Sequence, residues 1–282
     1  MILIIKIYAV IYEFFHYYFK LNLPGLGFLY RRLTKDSYFN VKGKKLFFNH
    51  NVADNYGMLI NGNFNEKETH YFLDNVFENT LINNFHFVDI GGNIGEFVLD
   101  YSDHKNVKHL TVFEPQPQQI IGIKKTIIKN NFENTTLIEK PVSNEVKEVN
   151  FNFNITNSTA SGIIESSNTG TKLWSTTLDE AFRNNLDHTF VLLIDIEGQE
   201  LNAIKGSEVL INRSLPLIIF EYNHITKLYF KIEDIQNQLG TNYTIYRLNK
   251  KGRLDLKFNN IWNLVALPQN ESFKYLESLI DN

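Results

Sequence analysis

A glycine-rich run between two apolar segments constrains the fold of this chain more than any other feature. Residues 87–95 read FVDIGGNIG, and a second apolar run ends in Phe113 and Glu114. Apolar residues that lead into an acid are typical of a parallel strand buried on both faces. Glycines after such a strand allow a sharp turn and bring a ligand against the backbone. The pattern predicts strand, glycine loop, helix and strand, the beginning of a doubly wound α/β sheet.

The acid that ends the second strand indicates a nucleoside site at this loop. Glu114 follows the glycines by about twenty residues, where nucleoside-binding sheets place a carboxylate against the ribose hydroxyls. A dinucleotide site favours the spacing G-x-G-x-x-G and holds a pyrophosphate at the helix N-terminus. Here Asp89 and Glu96 flank the loop, and their charges disfavour a pyrophosphate. S-adenosylmethionine has no phosphate and carries a positive sulfonium, so it fits better than a nicotinamide dinucleotide, which stays the alternative.

Four stretches, in this order, resemble the FkbM-type methyltransferases. They are VDIGGNIG at 88–95, FEP at 113–115, TTLD at 176–179, and LIDIEGQE at 193–200 with KG at 205–206 behind it. The segments PLIIFE at 216–221 and NLVALP at 263–268 are similar to the family's later strands. The resemblance implies an S-adenosylmethionine-dependent enzyme that methylates oxygen. Two residues depart from the family pattern: Leu193 stands where Lys is usual, and Pro141 stands where a small residue is usual.

The order of apolar runs predicts seven strands that alternate with helices. We expect strands at 85–89, 109–113, 136–139, 190–195, 217–221, 243–246 and 262–266, and helices at 66–77, 117–130 and 200–210. This alternation, with the resemblance, predicts a class I methyltransferase Rossmann-like doubly wound seven-stranded sheet. Residues 1–65 are expected to form an N-terminal helical and hairpin extension, with the hairpin at 39–52 and a short second helix near Arg31. Residues 66–282 are expected to form the S-adenosylmethionine-binding domain, with a polar surface loop at 156–171.

Four acids each end an apolar run, and strand ends of a doubly wound sheet meet at one edge. They are Asp89, Glu114, Asp195 and Glu221. We assign Glu114 to the ribose and Asp89 to the amino group of the cofactor. The full cofactor-binding set that we predict is Asp89, Gly91, Gly92, Asn93, Gly95, Glu114, Pro115, Val142 and Asp195.

The acceptor and the transferred methyl group are expected to meet beside Asp195 and Glu197. The predicted catalytic residues are Asp195, Glu197 and His224, and the predicted substrate-binding residues are Glu197, Glu221, Asn223 and His224. Glu197 and Glu200 could instead be first-turn acids favoured by a helix dipole, and His224 could be a loop histidine without a chemical role. A divalent ion could bind among these groups, but their spacing does not require one, so no metal is expected.

Thr177 and Asp179 fit helix capping better than ligand binding, because Thr and Asp are favoured N-cap residues. We expect both to cap a helix that starts at Glu180. The predicted acceptor is a sugar hydroxyl of a glycan or glycan precursor. A secondary-metabolite or lipid-linked hydroxyl is the alternative, and a non-catalytic cofactor-binding protein is a further one.

The composition limits the partners and the compartment. The 282-residue chain has a formal net charge of −3 at pH 7, which disfavours nucleic acid as a partner. It has no cysteine, so it has no disulfide and no thiolate chemistry, which fits a reducing compartment. We therefore expect a cytoplasmic protein that acts on a small molecule or a glycan.

The first segment of the chain, 2–19, is strongly apolar. Lys6, Glu13, His16 and Lys20 fall on one narrow face of a helix drawn through it. These interruptions disfavour a signal peptide or a membrane span. We expect the helix to pack on its own domain or on a second subunit of a homo-oligomer, with peripheral contact to a membrane through residues 1–20 as the alternative.

Overall fold

The computed structural model describes residues 38–47, 66–78, 82, 84–153, 161–163, 170–184, 188–258 and 262–281, and seven helical positions between 4 and 15. The strands are β1 (Tyr38–Val41), β2 (Lys44–Phe47), β3 (Phe85–Ile90), β4 (Val107–Phe113), β5 (Thr135–Ile138), β6 (Glu148–Asn152), β7 (Gly162–Ile163), β8 (Thr171–Trp174), β9 (Thr189–Ile194), β10 (Leu217–Glu221), β11 (Tyr243–Leu248), β12 (Leu254–Asp255) and β13 (Asn263–Pro268). The α-helices are α1 (Lys67–Phe77), α2 (Glu96–Tyr101), α3 (Pro117–Asn130), α4 (Leu178–Phe182), α5 (Glu200–Lys205), α6 (Glu208–Ser214) and α7 (Ile232–Leu239).

The central sheet has the strand order β12-β11-β13-β10-β9-β3-β4-β5. The five strands from β10 to β5 are parallel, while β13 runs antiparallel to both β10 and β11. This arrangement confirms the predicted doubly wound sheet and contains all seven predicted strands. The two-residue strand β12 adds an eighth strand at one edge. The parallel strands end at the same edge, so the loops that follow β3, β4, β9 and β10 lie side by side.

The inner strands are apolar without alternation because both of their faces are covered. Along β9, Val191 and Leu193 belong to one core cluster, whereas Phe190, Leu192 and Ile194 belong to the other. Successive side chains of a strand point to opposite faces, so each run divides between two core layers. The cluster of Leu193 also contains residues of α1, α2 and the first hairpin.

The predicted helix 200–210 is two helices, α5 and α6, because a tertiary contact interrupts it. A Cβ at Gly206 would lie 2.2 Å from the carbonyl oxygen of Ser143, so the chain turns there against a neighbouring loop. The Asp179 carboxylate accepts the N–H groups of Val209 and Leu210 and so caps α6. The prediction that Asp179 caps its own helix was therefore wrong.

The predicted cap at Thr177 is confirmed. Its hydroxyl accepts the N–H of Glu180 at 3.0 Å, and α4 begins at Leu178.

A three-stranded antiparallel sheet, β7-β6-β8, was not predicted. Two of its strands, β7 and β8, fall wholly or partly within the polar segment 156–171 that the sequence assigned to a surface loop. In β6, the alternate residues Val149 and Phe151 are buried. Residues 154–160 and 164–169 of this region lie outside the described residues.

The predicted hairpin is formed by β1 and β2, with a turn at Lys42 and Gly43, both at positive φ. Val41 and Leu46 are fully buried in the core cluster of the sheet, and the Phe47 N–H donates to the hydroxyl of Thr126 on α3. The hairpin thus shares the core of the main domain. The division of the chain at residue 65 stays a prediction, and the predicted second helix near residue 31 lies outside the described residues.

The described positions between 4 and 15 are helical, in agreement with the predicted first helix. Tyr8 packs against the core cluster, whereas Ile4, Ile7, Val10 and Phe14 are exposed. In the described part of the chain, each helix is too short or too polar to cross a membrane.

Candidate active site

The glycine loop after β3 is wedged between the neighbouring strand ends. The N–H groups of Gly91 and Gly92 both donate to the carbonyl oxygen of Phe113, at 3.0 and 3.1 Å. A Cβ at Gly91 would lie 1.9 Å from the carbonyl oxygen of Asp195, and a Cβ at Gly92 would lie 2.2 Å from Val112 Cγ2. Gly91 also has a φ of +101°. Only glycine fits here, and the loop leaves its open side to a ligand.

The Glu114 carboxylate is fixed in place at this loop. Its two oxygens accept the backbone N–H groups of Asn93, at 2.8 Å, and Gln116, at 2.7 Å. Burial raises the pKa of Glu114 to about 7, although the hydrogen bonds from Gln116 and Asn93 lower it. Each carboxylate oxygen has a second lone pair, so Glu114 can still accept the hydroxyls of a ribose.

A narrow cavity, with about 670 Å³ of empty space that includes open solvent, lies beside Glu114. The predicted cofactor residues that line it are Gly91, Asn93, Glu114, Pro115, Val142 and Asp195. The sequence reasoning missed other lining residues, among them Phe113, Gln116, Ser161, Ile163 and Gln199. Pro141, one of the departures from the family pattern, also lines this cavity.

Three predicted cofactor residues do not line the narrow cavity. Asp89 is only 2 % exposed, and its Oδ2 atom has no hydrogen-bond partner among the described residues. Burial, and then the charges of Glu96 and Glu114, raise the pKa of Asp89 well above its ordinary value. Gly92 lines the second cavity, and Gly95, at positive φ, is the N-cap residue of α2. Their roles as cofactor ligands stay predictions.

A second, wider cavity of about 1810 Å³, which includes open solvent, adjoins the first. The four predicted substrate-binding residues, Glu197, Glu221, Asn223 and His224, all line it. Gly91, Asn93, Asp195 and Glu197 line both cavities, together with residues 161–163. The two cavities therefore meet beside the glycine loop and the end of β9.

The wide cavity is acidic. Besides Asp195, Glu197 and Glu221, its wall includes Glu66, Glu68 and Glu96, which the sequence analysis did not assign to the site. None of the described residues that line it is a lysine or an arginine. Glu66 directly precedes α1, Glu68 lies in α1, and Glu96 is the first residue of α2. Both helices pack over the strand ends.

Asp195, Glu197 and Glu221 form the centre of this acidic wall, and their carboxylate oxygens lie within 4.8 Å of one another. Burial, followed by the nearby charge of Glu221, raises the pKa of Asp195 well above its ordinary value. Burial also raises the pKa of Glu197 to about 7 and that of Glu221 to about 8, with neighbouring glutamates adding to both shifts.

Glu221 and Asn223 are held by one small network. Glu221 Oε1 accepts Asn223 Nδ2 at 2.6 Å, and Asn223 Oδ1 accepts the N–H groups of Ile225 and Thr226. The Asn223 side chain is thus occupied in positioning Glu221 and the following turn. His224, the next residue, is exposed at the rim of the wide cavity.

Glu200 has a role that the sequence analysis did not predict. It is the first residue of α5, but its Oε1 atom accepts the N–H groups of Ile196 and Gly198, at 3.1 and 3.2 Å. Glu197 lies between them at a φ of +54°. The buried Glu200 carboxylate therefore holds the turn that presents Glu197 to the cavities.

Leu193, where the family usually carries Lys, lines neither cavity. It is 2 % exposed and belongs to the core cluster that also contains Leu217 and Ile219 of β10. The departure at this position is a substitution within the core.

A protein-family model matches the part of the chain that contains most of this site. The model of the methyltransferase FkbM domain matches residues 89–243, from the acid of β3 to the start of β11. A search of curated proteins gave no match.

Solved structures of methyltransferases are similar to this chain at low identity. The FkbM methyltransferase from Methylobacillus flagellatus KT shares 16 % identity, with a TM-score of 0.46, over 77 % of this chain and 56 % of that one. The chain thus spans little more than half the length of that protein. TYW2 from M. jannaschii in complex with AdoMet shares 11 % sequence identity with this chain, with a TM-score of 0.43. The match covers 83 % of this chain and 85 % of TYW2. A putative methyltransferase from Streptococcus mutans in complex with SAH shares 13 % sequence identity, with a TM-score of 0.39. The match covers 70 % of this chain and 94 % of that protein.

The family model covers more than half of the chain and includes both strand-end motifs that first indicated a nucleoside site. The match confirms the predicted family. The chain belongs to the FkbM methyltransferase family.

Proposed function

We propose that this protein transfers a methyl group from S-adenosylmethionine to a sugar hydroxyl of a glycan or a glycan precursor. The observation that carries the proposal is the meeting of two cavities at Asp195 and Glu197. The narrow cavity is lined by Glu114, the glycine loop and apolar side chains, as a nucleoside site requires, and the wide one carries the acidic wall. A cofactor in the first and an acceptor in the second would face each other at these two carboxylates.

The residues of the narrow cavity fit the cofactor. Glu114 has the acceptor capacity for two ribose hydroxyls, and Phe113, Val142 and Ile163 offer apolar surface to an adenine ring. When bound, the cofactor supplies an electrophilic methyl group on a positive sulfonium, and the carboxylates of Asp195 and Glu197 provide a favourable field for that charge.

The acceptor hydroxyl must be aligned and must lose its proton as the oxygen–carbon bond forms. Asp195 and Glu197 are placed to position this hydroxyl where the cavities meet. His224, at the rim of the wide cavity, is the group that we assign to receive the proton. In the balanced step, the oxygen–carbon bond forms, the carbon–sulfur bond breaks, and the proton passes to the imidazole.

The wall of the wide cavity supports a sugar as the acceptor. Carboxylates and the amide of Asn152 suit neutral hydroxyl groups, which both donate and accept. Tyr229 and Trp262, 61 % and 48 % exposed, add aromatic surface for the apolar face of a sugar ring. With no described lysine or arginine in this wall, phosphates and nucleic acid are disfavoured partners.

The test is mass spectrometry of glycans and small metabolites incubated with the enzyme and isotopically labelled S-adenosylmethionine. We expect label on a sugar oxygen, and a loss of transfer of about 100-fold or more in Glu197→Gln. Glu133→Gln, which is exposed and lines neither cavity, is the matched control and should keep full transfer. Label on protein, nucleic acid or nitrogen contradicts the substrate class.

The mutants also test the residue assignment. Full activity in both Asp195→Asn and Glu197→Gln removes these residues from the mechanism. Cofactor binding without any transfer favours the non-catalytic alternative. The cytoplasmic location, the homo-oligomer and the membrane contact through residues 1–20 stay predictions.

A further inference from the structure

Three carboxylates from two neighbouring strand ends converge where the two cavities meet. Asp195 and Glu197 follow β9, Glu221 ends β10, and their oxygens lie within 4.8 Å of one another. In the described part of the chain, none of the three takes part in a salt bridge. Three like charges this close repel one another unless something positive lies between them.

A second observation points to a ligand at this cluster. Glu221 is 5 % exposed, and its Oε2 atom is buried without a hydrogen-bond partner among the described residues. Its other oxygen is held by Asn223 Nδ2 at 2.6 Å, which fixes the carboxylate towards the wide cavity. A buried polar atom without a partner is costly, and native proteins rarely leave one unsatisfied.

The chemistry of the donors favours a hard divalent cation. The three ligating groups are carboxylate oxygens, without sulfur, and Mg²⁺, Mn²⁺ and Ca²⁺ prefer such ligands. The open side of the cluster faces the wide cavity, so water or a substrate oxygen can complete the coordination. Asn223 would act as the outer partner that orients Glu221.

We propose that Asp195, Glu197 and Glu221 bind one divalent, oxygen-preferring cation at the junction of the two cavities, and that this ion receives the acceptor hydroxyl. The spacing of the three acids in the sequence does not require a metal, but their positions in the fold bring them together. An ion here lowers the pKa of a bound hydroxyl and fixes its direction towards the narrow cavity. The role of the ion rests on the proposed methyl transfer, whereas its binding does not.

The binding test uses the full chain after treatment with a chelator and dialysis. Mn²⁺ is titrated in, and the electron paramagnetic resonance signal of free Mn²⁺ reports how much is bound. We expect one saturable site, displaced by Mg²⁺ or Ca²⁺, and an affinity about 100-fold weaker in Glu221→Gln. Glu68→Gln removes an acid from the same cavity wall outside the cluster and should bind as the wild type does.

The thermal stability and the cofactor binding of the same proteins are measured in addition to the binding of the ion. Mn²⁺ should raise the melting temperature of the wild type and of Glu68→Gln, but not that of Glu221→Gln. Calorimetry with S-adenosylhomocysteine tests the cofactor site separately, so loss of the proposed function and loss of the metal site give different results.

Three outcomes overturn the metal site. The first is no saturable binding of any of the three ions at millimolar concentration. The second is equal binding by Glu221→Gln and the wild type. The third is stabilisation by glucosamine without a response to the ions, which assigns the acids to an amine-bearing acceptor.

Discussion

The carboxylates that shape the narrow cavity and its floor are held by the backbone, and this decides what they can bind. Glu114 accepts two N–H groups, and Glu200 accepts two more from the turn 196–198. A salt bridge would cancel the charge of an acid, whereas a backbone N–H fixes its direction and leaves its net charge in place. Both acids therefore keep their direction, but burial raises the pKa of each to about 7, so their charge changes with pH near neutrality.

The first prediction concerns the pH dependence of cofactor binding through Glu114. Its pKa in the free protein is raised to about 7, and the ribose hydroxyls favour the ionised form because they donate to it. Protonation at lower pH therefore competes with binding. We expect the Glu114-dependent part of the affinity for S-adenosylhomocysteine to fall about tenfold from pH 8 to pH 6, measured by calorimetry.

Glu114→Gln is the comparison that isolates this residue, because Glu197 also has a pKa of about 7 and lines the same cavity. The glutamine cannot change its charge, and its NH₂ group faces a backbone N–H. We expect about 10- to 100-fold weaker binding at pH 8 and a flatter pH profile. Parallel profiles for the two proteins would remove Glu114 from the cofactor site.

At the scale of elements, the sequence predicts those helices and strands whose bounds are set by a local pattern of residues. Helix 117–130 agrees to the residue, since Pro117 is favoured at a first helical position. The inner strands agree within two residues because long apolar runs are buried on both faces. The break between α5 and α6 depends on the contact of Gly206 with Ser143, which no local pattern shows.

The residues of the candidate site also fall into two groups, those that a local sequence pattern places in the site and those that only the packing of the fold brings there. Acids at the ends of strands meet because parallel strands share one edge, so Glu114, Asp195 and Glu221 could be placed from the sequence. Glu66 and Glu96 come from helical segments whose packing over that edge leaves no sequence signal. Ser161 and Ile163 reach both cavities through the small sheet, whose strands of two to five residues lie in a polar region.

The second prediction concerns an ionic link between the hairpin, α1 and α2. Asp100 on α2 accepts His70 Nδ1 of α1 at 2.9 Å and Lys42 Nζ of the hairpin turn at 2.8 Å. His70 Nε2 lies 3.6 Å from a carboxylate oxygen of Glu96. Burial lowers the pKa of His70, but the carboxylates of Asp100 and Glu96 outweigh it and raise this pKa to about 9. The buried imidazolium is therefore charged at neutral pH.

The sign of the pH effect follows from that shift. The pKa of His70 is about 9 in the folded chain, against its ordinary value of 6.5, so its stabilisation is complete below pH 6.5 and is lost as pH rises through 9. His70→Gln should lower the free energy of unfolding by roughly 3 kcal/mol more at pH 6 than at pH 10. Denaturant titration at both values measures this difference.

A matched control is Asp103→Asn, which breaks the exposed pair with Lys44 on the same side of the molecule. Its cost should stay below about 1 kcal/mol at either pH. An equal loss of stability for His70→Gln at pH 6 and pH 10 contradicts a charged His70 and leaves only its stacking on Phe97.

For the whole molecule, the distribution of charge matters more than its sum. The net charge is only −3, yet six carboxylates line the wide cavity. The described helical positions between 4 and 15 form an apolar surface instead, because several of their side chains are apolar and exposed. An apolar surface of this kind is covered by a partner in most proteins, and we predict that the partner is a second copy of the chain.

The last prediction tests that surface in the full chain. Ile4, Ile7, Ile11 and Phe14 follow helical spacing and are 62 %, 55 %, 42 % and 51 % exposed. We expect the double substitution Ile7→Gln with Phe14→Gln to reduce the hydrodynamic mass in size-exclusion chromatography with light scattering. Binding of S-adenosylhomocysteine should not change, because none of these residues lines either cavity.

The control for that experiment is Ile121→Gln with Ile128→Gln, which changes two exposed isoleucines of α3, 57 % and 69 % exposed. It removes apolar surface of the same kind from another part of the chain, so its hydrodynamic mass should equal that of the wild type. Flotation of each protein with anionic vesicles distinguishes membrane contact from self-association. If the wild type is monomeric and floats, and the double substitution at Ile7 and Phe14 abolishes flotation, the helix contacts membranes and self-association is wrong. If the mass falls and no protein floats, the apolar face joins two copies, because the same two side chains cannot be buried in lipid and in a dimer at once.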